Sequence, residues 1–332
     1  MQNLSTDQDN SVHVPVLLHE ILESFEPIAG KVTWYLDGTL GGAGHAVALA
    51  EAFQKSATKS GSGEKISIIG LDRDPSAVAR AKELLADKTD KLVLETENYR
   101  DLDKVLDKNQ IQAVDFILLD LGISSDELDN SGRGFTFLKD EPLLMTMGDP
   151  ITYPFTARDI VNGWKEEDIA NVIFGYGEDR YARRIAKRIV EYREKKKIET
   201  TMELAEIVKS AVPKFTSRSF GKSFGKKQIN PATKTFQALR ITVNDELGAL
   251  KEGLKKGFER LAPGGRMAII SFHSLEDRIV KEFFKEKKEA GQANILTKKP
   301  VTAVPQELAE NPRSRSAKLR ILEKKLLVIS KH

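Results

Sequence analysis

Residues 33–45 read TWYLDGTLGGAGH. An apolar run ends on an acidic residue, and four glycines then fall within the seven positions 38–44. Glycines this dense at the end of a strand let the backbone come close to a ligand. The apolar positions of His45–Phe53 follow with helical spacing, so the stretch reads as strand, glycine turn and helix. A nicotinamide-binding turn wants Gly-x-Gly-x-x-Gly, but after Gly42-Ala43-Gly44 the third glycine is replaced by Val47. The turn also lacks the Gly-Lys-Ser/Thr of a phosphate-binding loop.

Two further strand ends extend the pattern. Ile66–Leu71 is a second apolar run, closed by Asp72 in GLDRD. A carboxylate there can accept two hydrogen bonds from ribose hydroxyls, in dinucleotide enzymes and S-adenosylmethionine enzymes alike. The alternative for Asp72 is a cap on the helix that opens at Pro75. Val114–Leu119 is a further strand, running into LLDLGISSDELD (118–129). Ligands of open parallel sheets bind outside the carboxyl ends of the strands, which singles out Asp120.

Around these motifs the pattern is α/β. Pro75–Leu85 reads as a helix and Leu92–Glu95 as a short strand. KSATKSGSGEK (55–65) reads as a flexible polar loop. Continuous apolar strands alternating with helices predict a parallel sheet buried on both faces. From 126 to 230 no strand pattern occurs. Glu178–Glu194 is an amphipathic helix, with Ala182, Ile185, Ala186, Ile189 and Val190 on one side and Arg183, Arg184, Lys187 and Arg188 on the other. Thr200-x-x-Glu203 predicts a capping box opening another helix, and SRSFGKSFGKKQ (217–228) a basic loop interleaved with Phe220 and Phe224. Apolar positions from Val243 to Leu261 predict one long helix stopped by Pro263-Gly264-Gly265. Arg266–Ser271 is then a strand and Asp277–Lys288 a helix, with Lys318–Leu322 and Lys325–Ile329 as closing strands. The division expected is a first part of the main domain at 1–128, a helical insertion at 129–228 and a second part at 229–332.

Composition narrows the function. The 332 residues are 40 % hydrophobic and 30 % charged, a globular balance. No apolar run nears the roughly 18 residues needed to cross a bilayer. The polar start MQNLSTDQDNS has no export signature, and cysteine is absent. A cytoplasmic protein without disulfides or thiolate chemistry is expected. The five histidines show no metal-ligand spacing, so no metal is expected. Net charge is only +3, yet residues 178–227 hold 15 Lys+Arg against 7 Asp+Glu, or +8, leaving −5 for the rest. Such a block suits a polyanionic partner, or else a merely solvated helix face.

Longer segments carry a resemblance. HVPVLLHE (13–20), DGTLGGAGH (37–45), DFILLDLGISS (115–125), RGFTF (133–137), YGEDRYARRIAKRIV (176–190), NPATKTFQALRI (230–241) and GGRMAIISFHSLEDRIVK (264–281) resemble the RsmH (MraW) family of 16S ribosomal RNA cytosine-N4 methyltransferases. The resemblance covers nearly the whole chain. It implies a Rossmann-like class I S-adenosylmethionine methyltransferase fold with an inserted helical domain. It also implies S-adenosylmethionine held by Ala43, Gly44, His45, Asp72, Tyr99, Asp120 and Glu127. The implied substrate is the exocyclic N4 amine of a cytidine in the decoding, P-site region, and the partner is 16S rRNA or the small ribosomal subunit. Two segments depart from the family pattern. Asp126-Glu127 stands where Pro-Gln is usual, and PLLMTMGD (142–149) replaces PLDMRMD.

Chemistry assigns the remaining roles. The N4 lone pair is conjugated with its ring, and acceptors that hold the amino hydrogens can turn it outward; Asp120-Leu121-Gly122-Ile123 offers the Asp120 carboxylate and backbone carbonyls for this. His273, after the fifth strand, is the second catalytic candidate, its alternative being a backbone-bonded turn histidine. Without cysteine, a thiolate adduct for carbon methylation is excluded. The base must arrive unstacked, with phosphates held by helix 180–193, by 217–227, or by Arg313, Arg315, Lys318 and Arg320. A nicotinamide-dependent dehydrogenase and a non-catalytic ribosome-assembly factor are the competing readings. Monomer and homodimer are both compatible with the sequence.

Overall fold

The computed structural model describes residues 15–26, 28, 33–60, 64–213 and 230–326. Seven strands form one sheet: β1 Trp34–Asp37, β2 Ser67–Asp72, β3 Leu92–Thr96, β4 Val114–Asp120, β5 Leu261–Ser271, β6 Ala293–Ile295 and β7 Lys318–Lys324. The helices are α1 Leu18–Phe25, α2 Gly44–Ser60, α3 Pro75–Leu85, α4 Leu102–Lys108, α5 Ser125–Asn130, α6 Ala157–Gly163, α7 Glu166–Gly177, α8 Ala182–Arg193, α9 Thr201–Ala211, α10 Ala232–Asn244, α11 Glu246–Arg260, α12 Ser274–Glu289 and α13 Pro305–Glu310. No helix among the described residues is long and apolar enough to cross a membrane.

The chain divides into two compact units. One holds residues 1–72, 76–121 and 254–332; the other holds 73–75 and 122–253. The second therefore reaches beyond 129–228, taking in α5, α10 and the first half of α11.

In the first unit the strand order is β3-β2-β1-β4-β5-β7-β6. β1 to β5 run parallel, while β7 is antiparallel to both β5 and β6. The expected Rossmann-like α/β fold is thus present, with the order reversing between β1 and β4. The apolar continuity of β4 follows from this central place: of Val114–Asp120, only Asp115 and Asp120 are not fully buried. Phe25 packs edge-on against Phe116, with centroids 5.4 Å apart, sealing one face under α1. Tyr35, Ile68, Leu118, Ala268 and Leu319 join the same core.

The second unit buries its own cluster, including Leu143, Ile160, Ile173, Ile185, Ile189, Leu204 and Phe236. α8 turns Ala182, Ile185, Ala186 and Ile189 inward, as its periodicity predicts. The Thr200–Glu203 capping box forms and opens α9. Further boxes open α5, from Ser124 and Glu127, and α6, from Thr156 and Asp159.

Four local expectations are corrected. α2 continues through the first half of the presumed loop 55–65, because Ala57 keeps the helical spacing of the buried face and is itself buried. α8 begins only at Ala182, since Glu178 adopts φ 48° and ends α7 instead. The long helix from Val243 is two helices, broken where Asp245 turns to φ 46°. Pro263-Gly264-Gly265 does not precede β5 but lies within it, where the register against β4 shifts between Val114 and Phe116. A side chain at Gly265 would come within 2.8 Å of the Asp115 carbonyl, so only glycine fits that bulge. Of the closing strands, β7 is present and Lys325 and Leu326 lie past it. Residues 327–329, like the loop 217–228, lie outside the described residues.

Candidate active site

The reversal of strand order places the carboxyl ends of β1 and β4 side by side, and both end on aspartate: Asp37 and Asp120. Asp72 ends β2 on the other side of β1. Between them runs the glycine turn. Gly41 takes φ 48°, and Ala43, though not glycine, takes φ 61°. Ala43 caps α2, its carbonyl accepting the Val47 N–H at 2.9 Å. Gly44 is required because a side chain there would strike Pro15 at 2.5 Å. Gly42 is different: a Cβ there would meet no atom within 4 Å, so its backbone faces open space.

Asp72, read from the sequence as a ribose acceptor or a helix cap, is bonded to the glycine turn. Its Oδ2 accepts the Gly41 N–H at 2.8 Å, fastening the turn to β2. Tyr99 lies beside the same turn, its Cβ 3.0 Å from where a Gly38 side chain would begin. His45 is buried, and its Nε2 lies 3.0 Å from the Val16 carbonyl. A carbonyl can only accept, so Nε2 carries a proton whatever the state of Nδ1. That Nδ1 lies 3.8 Å from Asp120 Oδ2. The sequence therefore brings Ala43, Gly44, His45, Asp72, Tyr99 and Asp120 to one edge of the sheet.

Asp120 is the most perturbed member. Burial, then Asp37, then Glu276 raise its pKa well above the usual carboxylate range. Its Oδ1 is buried with no hydrogen-bond partner. A buried acceptor left unmade costs about 1–3 kcal/mol, a cost usually offset at functional sites by a ligand. His273 takes up the backbone role given as its alternative. It caps α12, with Nδ1 3.4 Å from the Glu276 N–H, and its Nε2 is 3.3 Å from Glu276 Oε1. That Nε2 has no properly aligned hydrogen-bond partner. Glu276 itself accepts the Phe272 N–H at 2.9 Å.

Asp37 belongs to the site although the motif reading passed over it. It is fully buried, accepts from the Tyr35 hydroxyl at 2.7 Å and from the Thr39 N–H at 3.1 Å. Burial outweighs these bonds and pushes its pKa from 3.8 to about 6. Ionised Asp37 thus costs stability. Below pH 3.8 the group is protonated whether folded or not, and the cost is absent. It grows as pH rises to about 6 and levels off at on the order of 3 kcal/mol above that. Asp37→Asn, which cannot titrate, should gain on the native protein by that amount between pH 4 and 7 in urea unfolding. A difference that stays flat across that range would refute the raised pKa.

The second unit holds the remaining candidates. Glu127 completes the α5 capping box by accepting the Ser124 N–H at 3.0 Å. It also lies 3.6 Å from Arg133, which pairs with Asp74 at 3.1 Å. The charge that Glu127 adds over the family's glutamine is therefore balanced locally. The altered segment 142–149 is also held. Asn244 donates to Met145 O at 2.7 Å and accepts from Met147 N at 3.0 Å, while Gly148 N donates to the Tyr153 hydroxyl at 3.1 Å. Arg73 binds Tyr153 and Arg133 the Gly148 carbonyl. Hydrogen bonds with Asn244, Tyr153 and the Arg133 guanidinium thus hold this loop, in which Leu144 and Thr146 stand where the family pattern has charges.

The basic face of α8 is exposed at Arg183, Arg184, Lys187 and Arg188. Lys187 and Arg188 share Glu191 at 3.9 and 3.1 Å, while Arg183 and Arg184 have no ion pair among the described residues. The segment 313–320 is less available. Arg320 is buried and bonded to both oxygens of Asp277, and Lys318 pairs with the same carboxylate.

A family model described as the MraW methylase family matches residues 10–325. The ribosomal RNA small subunit methyltransferase H of Deinococcus deserti is 47 % identical over 322 residues, covering 96 % of each chain. The protein of the same name from Deinococcus radiodurans is 46 % identical over 94 % of this chain and 89 % of its own. Among solved structures, an rRNA methylase from Streptococcus thermophilus aligns over 94 % of this chain and 99 % of its own, with TM-score 0.43 and 10 % identity.

Proposed function

Since the chain belongs to the MraW methylase family, we propose that it methylates the exocyclic N4 amine of a cytidine in the decoding, P-site region of 16S rRNA. S-adenosylmethionine is the proposed donor, and the ribosome-bearing cytoplasm the proposed location. Family membership sets aside the nicotinamide dehydrogenase. The observation that carries the catalytic reading is Asp120 Oδ1, buried without a partner at the strand end next to the glycine turn.

The residues present suit this donor. Asp37, Asp72 and Asp120 line the sheet edge with carboxyl groups, and a cationic ligand there would favour their ionised forms. The open backbone at Gly42 leaves room for close approach. Ala43, Gly44, His45, Asp72 and Tyr99 would hold the nucleoside part, with Asp72 on the ribose. When bound, S-adenosylmethionine supplies a methyl group activated by its sulfonium. Asp120 accepts an N4 hydrogen and so turns the amine lone pair outward. Positive charge in the site draws its raised pKa down and favours the ionised acceptor. As N4 gained the methyl group, the carbon–sulfur bond would break to leave a neutral thioether, and the proton shed by the nitrogen would pass to the Asp120 carboxylate that holds it. A carboxylate whose pKa burial raises is a stronger base once ionised, which suits that transfer. Much of the remaining rate comes from alignment. The exposed α8 face is the proposed hold on rRNA phosphates.

Comparing rRNA from cells with and without this protein by mass spectrometry tests the reaction; an unchanged methyl content at cytidine refutes it. A second test concerns the donor alone. Asp72→Ala removes a charged two-point acceptor, worth roughly 1.5–3 kcal/mol per bond, so S-adenosylmethionine affinity should fall more than tenfold by calorimetry. Unchanged affinity in the folded variant would leave Asp72 as no more than the anchor of Gly41.

A further inference from the structure

β1 stops pairing with β4 early. The last paired residues are Asp37 and Leu118, yet β4 continues to Asp120. On its β5 side this extension is still secured, with Asp120 opposite Ile270 and Leu121 N donating to Ile270 O at 2.9 Å. On its β1 side no strand remains to receive the Asp120 N–H. The Thr39 hydroxyl takes the place of the missing carbonyl, accepting that N–H at 2.7 Å. Thr39 is in turn fixed by its own N–H to Asp37 Oδ1, and Asp37 by the Tyr35 hydroxyl. A chain of three hydrogen bonds thus runs from a fully buried tyrosine to the backbone of Asp120.

Thr39 also lies inside the glycine turn, directly after Gly38. One hydroxyl therefore joins the turn, on the proposed donor side, to the residue proposed to hold the acceptor amine. We infer that Thr39 is a positioning residue for methyl transfer, setting the distance between the glycine turn and Asp120 through the Asp120 backbone. This inference rests on the catalytic reading of Asp120. Of the residues implied to hold the donor only Asp120 is bonded to this hydroxyl, and through its backbone, so donor affinity should change little.

Thr39→Val keeps the shape and the bond to Asp37 but removes the acceptor. Thr39→Ser keeps the acceptor. A misplacement of about 1 Å can cost on the order of 100-fold in rate, so Thr39→Val should lose roughly 10- to 100-fold in kcat. Its S-adenosylmethionine affinity by calorimetry should stay within about twofold, since a single remote bond is removed. Thr39→Ser should return most of the turnover. Equal turnover in Thr39→Val and the native protein would overturn the inference, as would equal losses in both variants or a parallel loss of donor affinity in Thr39→Val. Asp120→Ala assayed alongside separates the two layers. If it stays active, the reading of Asp120 fails; if it is dead while Thr39→Val is normal, only the role of Thr39 fails.

Discussion

Asp120→Ala is expected to lose methyl transfer by roughly 10²- to 10⁴-fold, the range for removing a positioned general base, while remaining folded. The substitution takes away a carboxylate whose ionisation burial, Asp37 and Glu276 all oppose. Like-charge repulsion with Asp37 is relieved, so thermal stability should hold or rise. The Asp120 N–H to Thr39 belongs to the backbone and survives. Incorporation of labelled methyl groups into unmodified rRNA, at saturating donor, is the direct assay. Asp120→Asn should fall between native and alanine, because it can still accept one hydrogen but cannot take the proton. Near-native turnover in the alanine variant would mean that backbone carbonyls alone orient the amine.

The second large effect concerns affinity. Replacing Arg183, Arg184, Lys187 and Arg188 together with glutamine should weaken rRNA binding roughly 10²- to 10³-fold at 0.1 M salt. It should also flatten the log–log salt dependence by about 0.7 for each phosphate contact on single-stranded RNA. S-adenosylmethionine affinity should not change, because its proposed ligands lie mainly in the other unit. Folding should survive, since all four side chains are exposed and the buried face of α8 is Ala182, Ile185, Ala186 and Ile189. Filter binding across a salt series reads both quantities. An unchanged slope would show that the face is merely solvated.

The strands and helices that are continuous and periodic could be read directly from the sequence. Val114–Asp120 is apolar because both its faces are covered, and the capping box at Thr200 is a local pattern that needs no tertiary context. What escaped the reading depended on partners far away in sequence. β6 has only three residues and exists because β7 offers it an edge. The bulge at Gly264-Gly265 depends on Asp115, and the break at Asp245 on a left-handed residue that is not glycine. The site followed the same rule. Asp72 and Asp120 stand out as acidic ends of apolar runs. Asp37 shares that signal, but its role needs the Tyr35 and Thr39 bonds to be seen. The phosphate role considered for Arg320 could not survive the discovery of Asp277 beside it.

The order in which the strands pair bears on how the chain is made. β4 has its second neighbour in β5, so Leu118 must wait for Ala268. The intervening residues are almost all of the second unit. At synthesis rates of roughly 5–20 residues per second, that wait lasts on the order of ten seconds. The helical unit is complete once residue 253 has been made, and can condense before β5 is available. The nascent sheet cannot. Throughout that interval the apolar strand VDFILLD presents an unpaired edge, the kind that recruits other chains. That edge is where self-association of incomplete chains is expected to begin, so the segment to shield during synthesis is 114–120.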